Sequence, residues 1–295
     1  MTNLADVEAA ARRIEGRIRR TPLVEAGPDR WFKLEYLQHA GSFKTRGMMN
    51  KILGSTVPEA GIVAASGGNA GLAAAWAARE LGVPAEVFVP VTAPPVKVAK
   101  LGRLGAKVVR TGNEYAEAYA AARERTGALF CHAYDDPAMV AGNGTIGLEI
   151  SEVTDTVLVA VGGGGLVAGV IAALRDRVRV VAVEPVTSPT LHAALRAKKP
   201  VDVRVSGVAA DSLGARRVGE IAFELATDAR IESVLVEDDA IVQARQKLWD
   251  DYRIVVEHGT AAAYAALTSG VYRPAPGERV TTLLCGANTD PADLG

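Results

Sequence analysis

Four short motifs contain residue types that could do chemistry. The first is Gly162-Gly163-Gly164-Gly165, set between a β-branched apolar run and an apolar, helix-like run. Four residues without side chains let successive backbone N–H groups turn toward one small anion, and a helix behind them adds the positive end of its dipole. A phosphate is the occupant this predicts. A tight buried turn without a ligand is the plainer reading, and against it stands the chain entropy that four consecutive glycines cost. A dinucleotide fingerprint fits less well, because the one acidic residue at the next strand end, Glu184, precedes a proline. The second motif is Gly41-Ser42-Phe43-Lys44-Thr45-Arg46-Gly47. A lysine in a polar loop is usually a solvated charge. One that forms an imine needs a depressed pKa, from burial or from a neighbouring cation, and Phe43 and Arg46 could supply one each.

The third motif, Ser66-Gly67-Gly68-Asn69-Ala70-Gly71, again separates a strand-like from a helix-like run. Its N–H groups could grip a carboxylate while Ser66 and Asn69 add side-chain hydrogen bonds. An ordinary helix N-cap accounts for the same residues equally well. The fourth is Cys285-Gly286-Ala287-Asn288 after the last apolar run, where a buried structural cysteine is the plainer reading.

The elements that must position these motifs alternate along the chain. Leu4, Val7, Ala11, Ile14 and Ile18 recur at helical spacing. Strands are predicted at 62–65, 83–89, 107–110, 157–161, 178–183 and 280–285. Helices are predicted at 70–81 with Gly82 as C-cap, around 95–104, and at 115–125, 166–174 and 240–252. Such alternation, with nearly continuous apolar strands, predicts an α/β fold of two open, mostly parallel twisted sheets flanked by helices. A small domain is expected over 57–136, and a large one over 1–56 and 137–295.

Composition narrows the class. With 295 residues, 49% of them hydrophobic and 23% charged, and a net charge of −1, the chain can bury a core and carries no basic excess for nucleic acid or anionic membrane. The charge-free stretch 156–174 raises the question of a membrane span. Its five glycines fit a strand, a turn and a buried helix better. Two cysteines and no apolar leader point to the cytoplasm.

Taken in order, the motifs resemble the fold-type II pyridoxal-phosphate enzymes, in the serine/threonine dehydratase and serine racemase branch. The resemblance runs from Arg19-Arg20-Thr21-Pro22-Leu23 to Asn288, and Ser66–Gly71 with the following LAAAWAARELGVPAEVFVP looks especially like the serine dehydratases. It implies a fold like that of the tryptophan synthase β subunit. It also implies that Lys44 is the Schiff-base lysine, with Phe43 against the cofactor ring, and Ser66 is taken with Lys44 as a catalytic candidate. Gly162, Gly163, Gly164 and Gly165 would hold the phosphate, Asn69 the ring 3-hydroxyl oxygen, and Cys285 would face the pyridine nitrogen. Ser66, Gly67, Asn69, Ala70 and Asn143 would form the substrate pocket. No threonines stand in the glycine turn, which lowers the weight of the cysteine synthase branch.

Three departures from the pattern follow. Gly67 stands where the racemases carry a second serine, so racemisation should be weak. Asn143 replaces the usual Gln, and Glu257-His258-Gly259 replaces a Glu-Pro pairing, with His258 read as a satisfied loop histidine. Some relatives bind a cation near the strand end holding Glu184 and in the loop holding Asp211, so a cation is a further possible ligand, although no metal-spaced cluster is visible. The function implied is β-elimination of L-threonine or L-serine to a 2-keto acid and ammonia, by a homodimer with no nucleic-acid or membrane partner. The short stretch beyond Asn288 suggests no appended regulatory module. The other readings are a dehydratase of a hydroxyaspartate or an aromatic β-hydroxy amino acid, a serine racemase, a non-catalytic binder of cofactor or phosphometabolite, and a nucleotide-dependent oxidoreductase.

Overall fold

The computed structural model describes residues 1–294. In chain order the elements are α1 (Leu4–Ile14), β1 (Leu23–Gly27), β2 (Arg30–Lys33), α2 (Lys44–Leu53), β3 (Ile62–Ala65), α3 (Asn69–Leu81), β4 (Ala85–Val89), α4 (Pro95–Arg103), β5 (Lys107–Arg110), α5 (Tyr115–Glu124), β6 (Leu129–Phe130) and α6 (Pro137–Ile150). They continue with β7 (Thr156–Ala160), α7 (Gly165–Leu174), β8 (Arg179–Pro185), α8 (Thr190–Ala197), α9 (Glu220–Asp228), β9 (Glu232–Val236), α10 (Asp238–Tyr252), α11 (His258–Thr268) and β10 (Val280–Leu283). Two sheets result. One has six strands in the order β1-β2-β10-β7-β8-β9, the other four in the order β5-β4-β3-β6. Among the described residues only β1 and β2 pair antiparallel.

Where elements end differently from expectation, a local cause is visible. The first helix stops at Ile14 rather than continuing through Ile18, because Glu15 turns extended and Gly16 takes φ +70°. The strand expected from Val83 starts at Ala85: the Val83 N–H closes α3 on Ala78 O, and Pro84 has no N–H. Lys44 opens helix α2 instead of lying in a loop. The last ladder ends at Leu283, and Leu284 and Cys285 leave it toward the site.

Helices α6 and α11 carry no readable periodicity because they are covered nearly all round. Glycines on α6 and α7 let their backbones cross closely. A Cβ at Gly144 would lie 2.6 Å from Gly169 O, and one at Gly169 would lie 2.4 Å from Val140 O. Among the described residues no helix is long and apolar enough to cross a membrane. The 156–174 stretch is β7, a turn and α7, all buried or nearly so.

A charge cluster lies inside the fold. Arg46 and Glu35 are both fully buried and form a bidentate pair, Nε–Oε2 2.9 Å and Nη2–Oε1 2.6 Å. Arg46 Nη1 also reaches Glu149 Oε1 at 2.7 Å, and Lys33 Nζ donates to the other oxygen of Glu149 and to Thr21 O. Two carboxylates thus neutralise two cations away from water, the condition under which buried charge is tolerated.

Candidate active site

Lys44 is placed from both sides. Phe43 N donates to Cys285 O at 3.0 Å, and Ser42 bridges Gly286, so the start of α2 is stapled to the segment leaving β10. The Lys44 amine donates to Ala133 O at 2.6 Å and lies 5.0 Å from the centroid of the Phe43 ring. Burial pushes its pKa down to about 8. The expectation that Arg46 supplies a repelling cation is corrected: its charge is spent on Glu35 and Glu149, and desolvation alone lowers the lysine. Cys285 is buried, with Sγ 3.3 Å from Thr260 Oγ1. Desolvation pushes its thiol up to about 12, so it stands as a neutral group beside the amine.

All four glycine carbonyls of the turn are tied to the protein. Gly162 O accepts from Thr190 Oγ1 at 2.6 Å and Gly163 O from Gly219 N at 3.0 Å. Gly164 O accepts from Ala168 N at 2.9 Å, and Gly165 O from Asn143 Nδ2 at 3.2 Å. The amide N–H groups of Gly163, Gly164 and Gly165 have no protein acceptor among the described residues. Gly164 takes φ +90°, where glycine is favoured, and a Cβ on Gly163 would lie 2.4 Å from the Tyr134 ring. A concave set of unpaired N–H groups at the N-terminus of α7, with no acidic side chain among its residues, fits a phosphate. The turn and Lys44 meet on one segment. Ala133 O holds the amine, while the ring of Tyr134, the next residue, covers Gly163. Asp135, next again, caps α9 by accepting from Glu220 N and Ile221 N.

The Ser66–Gly71 loop leaves β3 and enters α3. Gly71 is required there, since a Cβ would stand 1.9 Å from Ser66 O. Ser66 Oγ accepts from Gly68 N at 3.1 Å, leaving its hydroxyl proton free for a ligand. Asn69 Nδ2 lies 2.9 Å from both oxygens of buried Glu257, and its Oδ1 accepts from Asn288 Nδ2 at 2.6 Å. Ala70 is buried at the head of α3. At Gly67 a Cβ would meet nothing closer than Val89 Cγ1 at 3.7 Å, so space does not dictate the glycine.

Two expectations change. Asn143 has no exposed surface: it sits beneath the turn on α6 and holds Gly165 O, so it does not line the cleft. The residues around Glu184 do not fit a cation. Its oxygens accept from Leu191 N (2.8 Å), His192 N (2.7 Å) and Thr190 Oγ1 (3.1 Å), donors that cap α8 where a cation would need acceptors. Asp211 is paired with Lys97, and the described residues contain no metal-binding cluster of His, Cys, Asp or Glu. His258 opens α11, with Arg245 and Asp293 as its charged neighbours. Ala133, Tyr134, Thr190, Gly219 and Thr260 were not legible as site residues, because each reaches the site only by a long-range contact.

Comparison with known proteins adds the following. The family model described as "Pyridoxal-phosphate dependent enzyme" matches residues 14–286. The chain is 39% identical over 303 residues to L-threonine ammonia-lyase of Geobacter sulfurreducens, covering 96% of this chain and 75% of that protein. It is 34% identical over 311 residues to phenylserine dehydratase of Ralstonia pickettii, covering 98% and 95%. Among solved structures it resembles a T.th. threonine deaminase (TM-score 0.90, 33% identity, 98% of this chain and 99% of that one). It also resembles maize serine racemase (TM-score 0.92, 27% identity, 99% and 95%).

Proposed function

We propose, from the premise that this chain belongs to the family of pyridoxal-phosphate dependent enzymes, that it is an ammonia-lyase acting on L-threonine or L-serine. The β-hydroxyl leaves as water, water is taken up again as the amine is released, and the net products are a 2-keto acid and ammonia. The observation that carries this reading is the partly buried Lys44 amine, sharing the 133–134 segment with a glycine turn whose N–H groups are unpaired.

Pyridoxal phosphate, when bound, supplies the electron sink that makes an α-proton removable. Lys44 would hold it, and Gly162 to Gly165 would grip its phosphate. An amine with a pKa of about 8 is uncharged in about a quarter of molecules at pH 7.5, against about one in a thousand at the ordinary value. Lys44 can therefore take a proton from the substrate α-carbon and return it. Phe43 keeps water from the amine. Ser66 and the N–H groups heading α3 are assigned to the substrate carboxylate, and Asn69 and Cys285 to the ring oxygen and ring nitrogen. The neutral thiol cannot stabilise a charged ring nitrogen as a carboxylate would, which favours prompt elimination. Gly67 offers no proton to the opposite face, which disfavours racemisation.

We take 57–136, which contains the four-stranded sheet, as the small domain, and the remainder as the large one. We further propose a cytoplasmic homodimer. The buried free thiols of Cys131 and Cys285 support a reducing compartment, and equilibrium sedimentation tests the dimer. The function itself is tested by keto-acid release from L-threonine and L-serine. The purified protein is expected to be yellow and active, and Lys44→Ala to lose both the covalently held chromophore and the activity. Undiminished release by Lys44→Ala would refute the assignment.

A further inference from the structure

The strands of the small sheet are all parallel, so the segments leaving β3, β5 and β6 emerge at one edge, where open parallel sheets present their sites. β3 leads into Ser66, β5 into the start of α5 at Tyr115, and β6 into His132. Aromatic residues are only 5% of the chain, yet four of them and a histidine form a connected string here. Tyr115 lies 6.0 Å from Tyr119, Tyr119 lies 5.7 Å from both Phe130 and His132, and His132 lies 4.8 Å from Tyr134, centroid to centroid. Most of these contacts are edge-to-face, the geometry that aromatic quadrupoles favour.

The string has a direction. Tyr134 backs Gly163 of the turn, and the peptide between His132 and Tyr134 holds the Lys44 amine. Tyr119 and Phe130 pack on the small sheet's core of Val63, Phe88 and Ala122. Tyr115 ends the string half exposed. None of the inner members is fully covered.

His132 places one polar donor in the string. His132 Nδ1 accepts from Tyr134 N (3.1 Å) and Asp135 N (2.8 Å), which leaves the ring proton on Nε2. Burial, with Lys44 nearby, lowers its pKa. Of the charged side chains around it, Asp135 caps α9 and Asp136 pairs with Lys51, while Arg123 is exposed on α5 and its charge acts on His132.

We propose that this aromatic string is the wall against which the substrate's β-substituent packs, so that the site accepts a β-aryl group as well as a β-methyl. The proposal rests on Lys44 marking the position of the substrate α-carbon. Each added aromatic contact should strengthen binding by about 3- to 10-fold.

The test separates this proposal from the elimination itself. Holoenzyme is titrated with L-alanine and L-phenylalanine, neither of which has a hydroxyl to lose, and dissociation constants are read from the cofactor's visible band. Keto-acid release is measured on L-threonine and threo-phenylserine. We expect L-phenylalanine to bind more tightly than L-alanine. Tyr119→Leu should cut that preference by about 3- to 10-fold, and phenylserine kcat/KM relative to threonine should fall in proportion. Tyr119→Phe should keep both. Tyr115→Ala, at a half-exposed ring, should shift the preference in the same direction and keeps the test open should Tyr119→Leu fold poorly. Equal losses for both amino acids in both variants would overturn the wall. A preference that moves as expected in a protein releasing no keto acid upholds the wall and removes the elimination.

Discussion

Replacing Lys44 by methionine should make the cofactor-free protein more stable at neutral pH while abolishing its activity. Folding takes this amine out of water, and its pKa falls from the ordinary 10.5 to about 8. That displacement corresponds to about 3 kcal/mol by which the folded state disfavours the charged amine. The sign follows from proton binding. Below pH 8 the amine is charged in both states, and the whole penalty is felt. Between 8 and 10.5 the folded protein releases its proton first, and the penalty shrinks. Above 10.5 it is gone. Methionine fills similar volume without charge but gives up the hydrogen bond to Ala133 O, a loss of about 1 kcal/mol. The net expectation is a gain of about 2 kcal/mol at pH 7 that falls toward zero, or slightly below it, by pH 10. Urea unfolding of apo wild type and Lys44→Met at both pH values measures it, and the other lysines cancel in the difference. An equal stability difference at pH 7 and pH 10 would refute the claim that burial depresses this amine.

Three further outcomes follow from contacts at and around the site. Arg46→Met leaves Glu35 buried without its partner and should cost about 3–5 kcal/mol in urea unfolding, while adding Glu35→Leu should recover most of the loss. Gly163→Ala drives a methyl group to within 2.4 Å of the Tyr134 ring. The displaced turn should cost about 1–3 kcal/mol of cofactor affinity, read from the visible band under dialysis, with Gly162→Ala milder because its nearest neighbour is at 3.2 Å. The Cβ that Gly67→Ser adds meets no atom closer than 3.7 Å, so stability should change by less than about 0.5 kcal/mol. Chiral chromatography should then show D-serine formed from L-serine faster than by wild type; no increase would show that the missing hydroxyl is not what limits racemisation.

The strands and helices whose boundaries were legible are those with a one-sided or β-branched pattern. β3 and β5 came out at their observed ends, and Gly82 was a correct C-cap with φ +67°. Helices α6 and α11 did not, since an element buried on every side has no polar face to mark its period. The short pair β1 and β2 at the sheet edge carried too few residues to alternate visibly.

For the site, the chain by itself determined the chemical types: which residue can carry an amine, which turn has no side chains, which loop must be glycine beside its own neighbour. These are properties of a residue and the few next to it. Tertiary structure alone decided how those groups behave. The Lys44 amine is dried and held by a carbonyl 89 residues away, and the glycine turn is set by Thr190 28 residues off and by Asn143 22 residues off. Arg46 spends its charge on carboxylates 11 and 103 positions distant rather than on its near neighbour Lys44. Hydrogen bonding and desolvation depend on which groups meet in space, and that pairing is fixed only when the two sheets and their helices pack.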